Sequence, residues 1–136
     1  MHVREASSGE ELVVRRILDA AALETTALTA RVEAGNVLIA VEPRIEARDR
    51  VLGALVLDFR ADDAHVEAIA VRRRRKGQGI GSTLVSGALE RASRSRASRL
   101  TATFDERVVP FYESLGFQVE RIEGRRYRGV KTVCDR

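Results

Sequence analysis

A single cysteine, Cys134, is all the thiol chemistry this sequence carries. It excludes an internal disulfide, and no metal ligands stand near it at the usual spacing, so no metal site is expected. Tryptophan is absent, methionine occurs once, proline twice, and aromatic residues make up 4% of the chain. No apolar run approaches the roughly 20 residues that span a bilayer. The N-terminus, Met1-His2-Val3-Arg4-Glu5, has no apolar signal core. The expectation is a soluble, reduced, cytoplasmic protein that does not associate with membranes. What is present is 136 residues, 44% hydrophobic and 32% charged. That suffices for a core, so residues 1–136 are expected to form a single domain.

The charge is unevenly placed. Residues 1–71 hold 8 basic and 13 acidic side chains, a net of −5. Residues 72–99 hold nine basic side chains, among them the run Arg72-Arg73-Arg74-Arg75-Lys76, against Glu90 alone, a net of +8. Such a focus attracts an anion, either nucleic acid or a compact phosphorylated cofactor. With 22 arginines to 2 lysines, a compositional bias and a solvated helix face account for the run equally well.

No repeat, linker or low-complexity block interrupts the chain. Met1 to Ala6 reads as a strand. Ser8 and Glu11 have the spacing of a capping box for a helix over 9–22, with Leu12, Val13, Ile17, Leu18 and Ala21 at helical spacing. A second helix is expected over 23–33, ended by Gly35-Asn36. Val37–Val41, Val51–Phe59 and His65–Val71 read as an antiparallel meander, with Pro43 to Arg50 and Ala61 to Asp63 as polar turns. A helix over 81–95 follows, with Leu84, Val85, Ala88, Leu89 and Ala92 as its apolar stripe. Then come a strand over 99–104, a short helix over 106–115 regularised near Pro110, and a final hairpin about Glu123-Gly124. The order is β-α-α-β-β-β-α-β-α-β-β, an α/β fold with a mixed, mostly antiparallel sheet flanked by helices.

Between the third meander strand and its helix lies Lys76-Gly77-Gln78-Gly79-Ile80-Gly81-Ser82. Alternate glycines let successive backbone N–H groups turn into one concavity, and the helix that opens there leaves further amides and its positive dipole end facing outward. That is an anion nest, to which Ser82 adds a hydroxyl. It is not a P-loop, since Gly-Lys-Ser/Thr is missing. Nor is it a dinucleotide fingerprint, since Ser82 stands where the third glycine belongs.

These residues resemble the GNAT family of N-acetyltransferases. Lys76 to Gly81 is similar to that family's Arg/Gln-x-x-Gly-x-Gly/Ala motif, and Phe111-Tyr112-Glu113-Ser114-Leu115-Gly116-Phe117 to its Phe-Tyr-x-x-x-Gly-Phe motif. Leu52-Gly53-Ala54 resembles its Val-Gly turn. Lys76 replaces the usual Arg or Gln, and Asp105 and Val108 stand where many members have Asn and Ala.

The resemblance implies acetyl-CoA as cosubstrate. Backbone groups of Ile69 and Val71 would meet its pantetheine and thioester, while Lys76, Gly77, Gln78, Gly79, Gly81 and Ser82 would cradle the pyrophosphate. Tyr112 would serve as general acid, and a phenol near its usual pKa of about 10 is protonated at neutral pH. Glu67 shares a strand face with residues 69 and 71 and would act as base, unless it serves only in a rim salt bridge. His65 reads as a strand-end surface histidine, Phe104 and Phe117 as core, and Asp62-Asp63 as a solvated turn. Packing beside Phe111 and Leu115 is the alternative for Tyr112.

The implied activity is acetyl transfer to a small-molecule or peptide amine by a monomer or homodimer. Arg125, Arg126 and Arg128 hint at an acceptor bearing a carboxylate or phosphate, or form a solvated hairpin. A nucleic-acid-binding module is the rival class, yet residues 72–99 hold no aromatic side chain for base stacking. A degenerate domain that binds the cofactor without catalysis is the third reading.

Overall fold

The computed structural model describes residues 1–133; Cys134 lies outside them. Its elements are β1 (His2–Glu5), α1 (Glu11–Ala20), α2 (Leu28–Glu33), β2 (Val37–Arg44), β3 (Ala47–Arg60), β4 (Asp63–Val71), α3 (Ile80–Ser93), β5 (Arg99–Asp105), α4 (Val109–Ser114), β6 (Gln118–Glu123) and β7 (Arg126–Thr132). The order matches the one read from the sequence. The seven strands form a sheet in the order β1-β2-β3-β4-β5-β7-β6. The β4–β5 pair is parallel, and the β1–β2, β2–β3, β5–β7 and β6–β7 pairs are antiparallel. No helix among the described residues is long and apolar enough to cross a membrane. Contacts divide the chain into two compact units: Met1–Leu57 with Ala68–Ala88, and Asp58–Glu67 with the chain from Leu89 onward.

In the first unit the cap sits one residue earlier than expected. The amide and hydroxyl of Ser7 both donate to the Glu10 carboxylate at 3.0 Å, and a 3-10 turn over Ser8–Glu10 precedes α1. Arg4 grips the same carboxylate through two bonds of 2.7 and 2.8 Å and holds its pKa down at about 2. The buried stripe of α1 is Val14, Ile17 and Leu18, with Val13 partly buried beside it, while Leu12 is exposed. This stripe packs with Leu28 and Val32 of α2 on Val37, Ile39, Val41, Ala54, Val56, Ala68 and Ala70.

The expected turn at Pro43 to Arg50 shrinks to Ile45-Glu46, because β2 and β3 run on as a ribbon. Pro43, with no amide hydrogen to donate, falls where the ladder skips from Glu42 to Arg44. Gly53 lies inside β3, as the strand reading over 51–59 places it. A Cβ there would stand 2.9 Å from the Ala70 carbonyl and 3.2 Å from Leu84 of α3, so only glycine admits this approach.

In the second unit β4 and β5 pair from Asp63↔Arg99 to Val66↔Ala102. Asp63 is therefore a strand residue and not part of a solvated turn; it takes two bonds from Arg99, of 2.8 and 3.1 Å. β7 inserts between β5 and β6. The C-terminal end of α4 is closed by Lys131, whose Nζ donates to the Leu115 carbonyl at 2.9 Å, with Gly116 at φ +88° directly after it.

Candidate functional site

The glycine loop belongs to the first unit and begins at a fault in β3. Ala40 pairs with Gly53 but Val41 pairs with Val51, so Leu52 is an extra residue, a β-bulge. The bulge presents two carbonyls to the residue that follows β4. The Arg72 amide donates to Leu52 O at 2.8 Å, and its Nε donates to Val51 O at 2.6 Å. One 3-10 turn later, Arg75 makes a two-pronged contact of 2.9 and 3.1 Å with Glu42 of β2. Each partner stabilises the other's charged form, so the Glu42 pKa falls and the Arg75 pKa rises. Arg73, Arg74 and Lys76 are exposed.

The chain then turns through Gly77 (φ +82°) and Gly79 (φ +78°), both left-handed. At either position an added Cβ would meet nothing within 4 Å, so the space in front of the loop is open. Ile80, 2% exposed, anchors the start of α3. The first intrahelical bond runs from Thr83 N–H to Gly79 O at 3.1 Å, supported by the Thr83 hydroxyl at 2.9 Å. The amides of Ile80, Gly81 and Ser82 thus belong to the helical turn that has no internal acceptors. Gly81 and Ser82 sit inside α3, so two glycines rather than three shape the turn.

Along β4, Ala64, Val66, Ala68 and Ala70 are buried, whereas Asp63, His65, Glu67, Ile69 and Val71 alternate with them and are half-buried. The expected shared face of Glu67, Ile69 and Val71 is therefore present. Ile69 and Val71 lie beyond Val66, the last β4 residue in the ladder with β5.

Tyr112 belongs to the second unit and is 3% exposed. Its ring stacks on Phe104 at 4.1 Å and 9°, and meets Phe111 and Phe117 edge-on at 5.0 and 5.2 Å. The main packing partner is Phe104 rather than Leu115, because β5 carries that ring under α4. Burial pushes the phenol up to about 12, well above the unperturbed value expected from the sequence.

His65 is half-buried inside β4 rather than exposed at a strand end. Its Nδ1 lies 2.7 Å from the hydroxyl of buried Thr101, its neighbour in the β4–β5 register, and burial lowers its pKa. Asp105 caps the turn before α4: it accepts the Arg107 amide at 2.9 Å and is flanked by Arg107 Nε at 3.2 Å and Arg125 at 3.5 Å. These contacts lower its pKa, the Arg107 amide most of all. Arg125 thus belongs to the Asp105 cap, and with Arg126 it borders a shallow depression of about 400 Å³.

Several basic residues that looked like one anion-attracting run have partners inside the protein. Arg72 and Arg75 are bound as described, Arg91 lies over the Phe59 ring at 5.0 Å, Arg94 pairs with Glu90, and Arg99 pairs with Asp63. Glu42 and the Leu52 bulge escaped the sequence reading, because Glu42 lies 33 residues from Arg75 and nothing local marks either.

Residues 6–133 match the family model described as an acetyltransferase (GNAT) domain. The chain belongs to the GNAT family. It is thereby an acyltransferase, and its fold is shared by GNAT proteins of known structure. Rv2747 from Mycobacterium tuberculosis, solved in complex with CoA, superposes with a TM-score of 0.80 at 18% identity, over 98% of this chain and all of that one. An aminoglycoside 6'-N-acetyltransferase complexed with coenzyme A gives a TM-score of 0.79 at 14% identity, over 100% and 99%. N-acetylglutamate synthase from Neisseria gonorrhoeae, complexed with coenzyme A and L-arginine, gives 0.75 at 18% identity; this GNAT chain is covered over 96% but spans only 32% of that protein. No curated protein matches the sequence.

Proposed function

We propose that this GNAT chain is an acetyl-CoA-dependent N-acetyltransferase that moves the acetyl group directly from the thioester to a primary amine. The observation that carries the reading is the left-handed Gly77–Gly79 turn, open in front and feeding the N-terminus of α3. It is the anion nest a pyrophosphate requires. Lys76, Gly77, Gln78, Gly79, Gly81 and Ser82 hold that group. Beyond Val66, the backbone of Ile69 and Val71 offers strand-edge hydrogen bonds to the extended pantetheine arm, in the manner of an added strand.

The reaction needs a neutral amine, a polarised thioester carbonyl and stabilisation of the departing sulfur. The amine nitrogen bonds to the acetyl carbon as the C–S bond breaks, and the nitrogen gives up a proton. Glu67, half-buried on β4, is the base, directly or through water. We assign Tyr112 to the leaving sulfur. With its pKa at about 12, against about 8.5 for an ordinary thiol, full proton transfer to a thiolate runs uphill. The phenol therefore acts mainly as a hydrogen-bond donor to the developing thiolate, while the proton released by the amine balances the thiol product. The solved relatives include an aminoglycoside-modifying enzyme and an N-acetylglutamate synthase, so the shared fold leaves the acceptor open.

Nucleic-acid binding is the weaker reading, because much of the basic run is consumed by internal partners. Calorimetric titration with acetyl-CoA is the first test. Gly79→Val, which forces a branched residue into φ +78° and fills the open space, should abolish binding. No binding by the unaltered protein at millimolar acetyl-CoA refutes the proposal. An amine screen that follows thiol release then identifies the acceptor class.

A further inference from the structure

We infer that Glu42 and Arg75 are positioning residues of the phosphate loop: this acidic side chain strengthens anion binding by fixing the loop's shape. The inference rests on the pyrophosphate reading of the loop. It goes beyond that reading by dividing the basic run into arginines that hold the loop and cations that face the ligand.

The loop from Arg72 to Gly79 has little internal structure to order it. It contains one 3-10 turn, closed by Arg75 N–H on Arg72 O at 2.9 Å, and then two left-handed glycines. Glycine gains this conformation at the cost of the largest backbone freedom, so a nest built from it is only as ordered as its ends. The C-terminal end is fixed by Ile80 and the first turn of α3.

The N-terminal end is fixed twice. Arg72 is held to the Leu52 bulge through its amide and its Nε. Three residues on, the Arg75 guanidinium makes two bonds, one to each oxygen of the Glu42 carboxylate, an arrangement that a lysine cannot make. Glu42 stands on β2, next to the ladder irregularity at Pro43. Arg75 is thus turned toward β2 and its charge is already matched. Arg73, Arg74 and Lys76 remain exposed beside the glycines to supply the ligand-facing charge.

Simple charge counting and positioning give opposite signs for one substitution. Glu42→Gln removes a negative charge near an anion site and releases the Arg75 guanidinium. Counting charges, acetyl-CoA should bind more tightly. If the pair orders the loop, binding should weaken instead, by about two- to fivefold, the range that one partly exposed ion pair supports.

Calorimetric titration of acetyl-CoA and of dephospho-CoA, which keeps the pyrophosphate and lacks the 3′-phosphate, should show the same fractional loss for both. Glu42→Asp, too short to keep both bonds, should fall between wild type and Glu42→Gln. The exchange Glu42→Arg with Arg75→Glu should recover most of the affinity. Thermal midpoints of all variants, recorded alongside, separate a loosened loop from a destabilised protein. Unchanged or tighter binding by Glu42→Gln overturns the inference while the cofactor proposal stands. Failure of the unaltered protein to bind either ligand overturns both.

Discussion

Replacing Tyr112 by phenylalanine removes one oxygen and leaves the stacking geometry on Phe104, Phe111 and Phe117 in place. At pH 7 the change in stability should stay within about 1 kcal/mol, the scale of one buried hydroxyl. The alkaline response is more diagnostic. In the folded protein burial raises the phenol to about 12, whereas an unfolded tyrosine titrates near 10. The folded state therefore holds this proton more tightly, so the associated stability is intact below pH 10 and is lost as pH rises toward 12. At pH 11 the unaltered protein should have lost about 1.4 kcal/mol that the phenylalanine variant keeps, and above pH 12 roughly 2.7 kcal/mol, at 1.36 kcal/mol per pKa unit.

Urea unfolding of both proteins at pH 7 and pH 11 measures this as a double difference, in which Tyr127 and the arginines cancel. A double difference below about 0.3 kcal/mol, the additivity error of such cycles, would show that the phenol is not desolvated as described. Turnover should fall by about 10²-fold, the low end of general acid catalysis, because a phenol this weak gives a hydrogen bond rather than its proton. The loss should appear in kcat. Any alkaline limb near pH 9 should persist in the variant, since it belongs to another group. Full kcat in the variant, with chemistry rate-limiting, would make Tyr112 a packing residue.

Gly53→Ala should destabilise the protein by about 1–3 kcal/mol, since the new methyl meets the Ala70 carbonyl at 2.9 Å and Leu84 at 3.2 Å. Calorimetry should record a lower midpoint by roughly 3–10 °C, and an unchanged midpoint would show that the strand and helix give way easily. Reversing the charge of Arg73 and Arg74 together should weaken acetyl-CoA binding at 50 mM salt. The deficit should shrink toward zero near 1 M, where the screening length is about 3 Å. A salt-independent deficit would instead point to altered loop structure.

The alternation of β4 was legible in the sequence, because a pleated strand puts Glu67, Ile69 and Val71 on one face and Val66, Ala68 and Ala70 on the other. The glycine loop was legible for a similar local reason. Only glycine relieves the steric penalty at φ near +80°, so Gly77 and Gly79 announce the turn wherever they occur. Pro110 and Gly116 bounded α4 in the same way, one by its fixed φ at the helix start and the other by its left-handed φ at the end. What the sequence could not show is which charges face each other. The five-residue basic run looks uniform, yet Arg72 is taken by a β3 bulge and Arg75 by Glu42, partners 21 and 33 residues away. Likewise, Tyr112 looked like an ordinary phenol beside Phe111. Only the arrival of Phe104 from β5 and Phe117 after α4 removes it from water and moves its titration. Backbone conformation is decided within a few residues. The pairing and desolvation of a side chain depend on which strands the sheet brings alongside it, and that is decided only when the chain has folded.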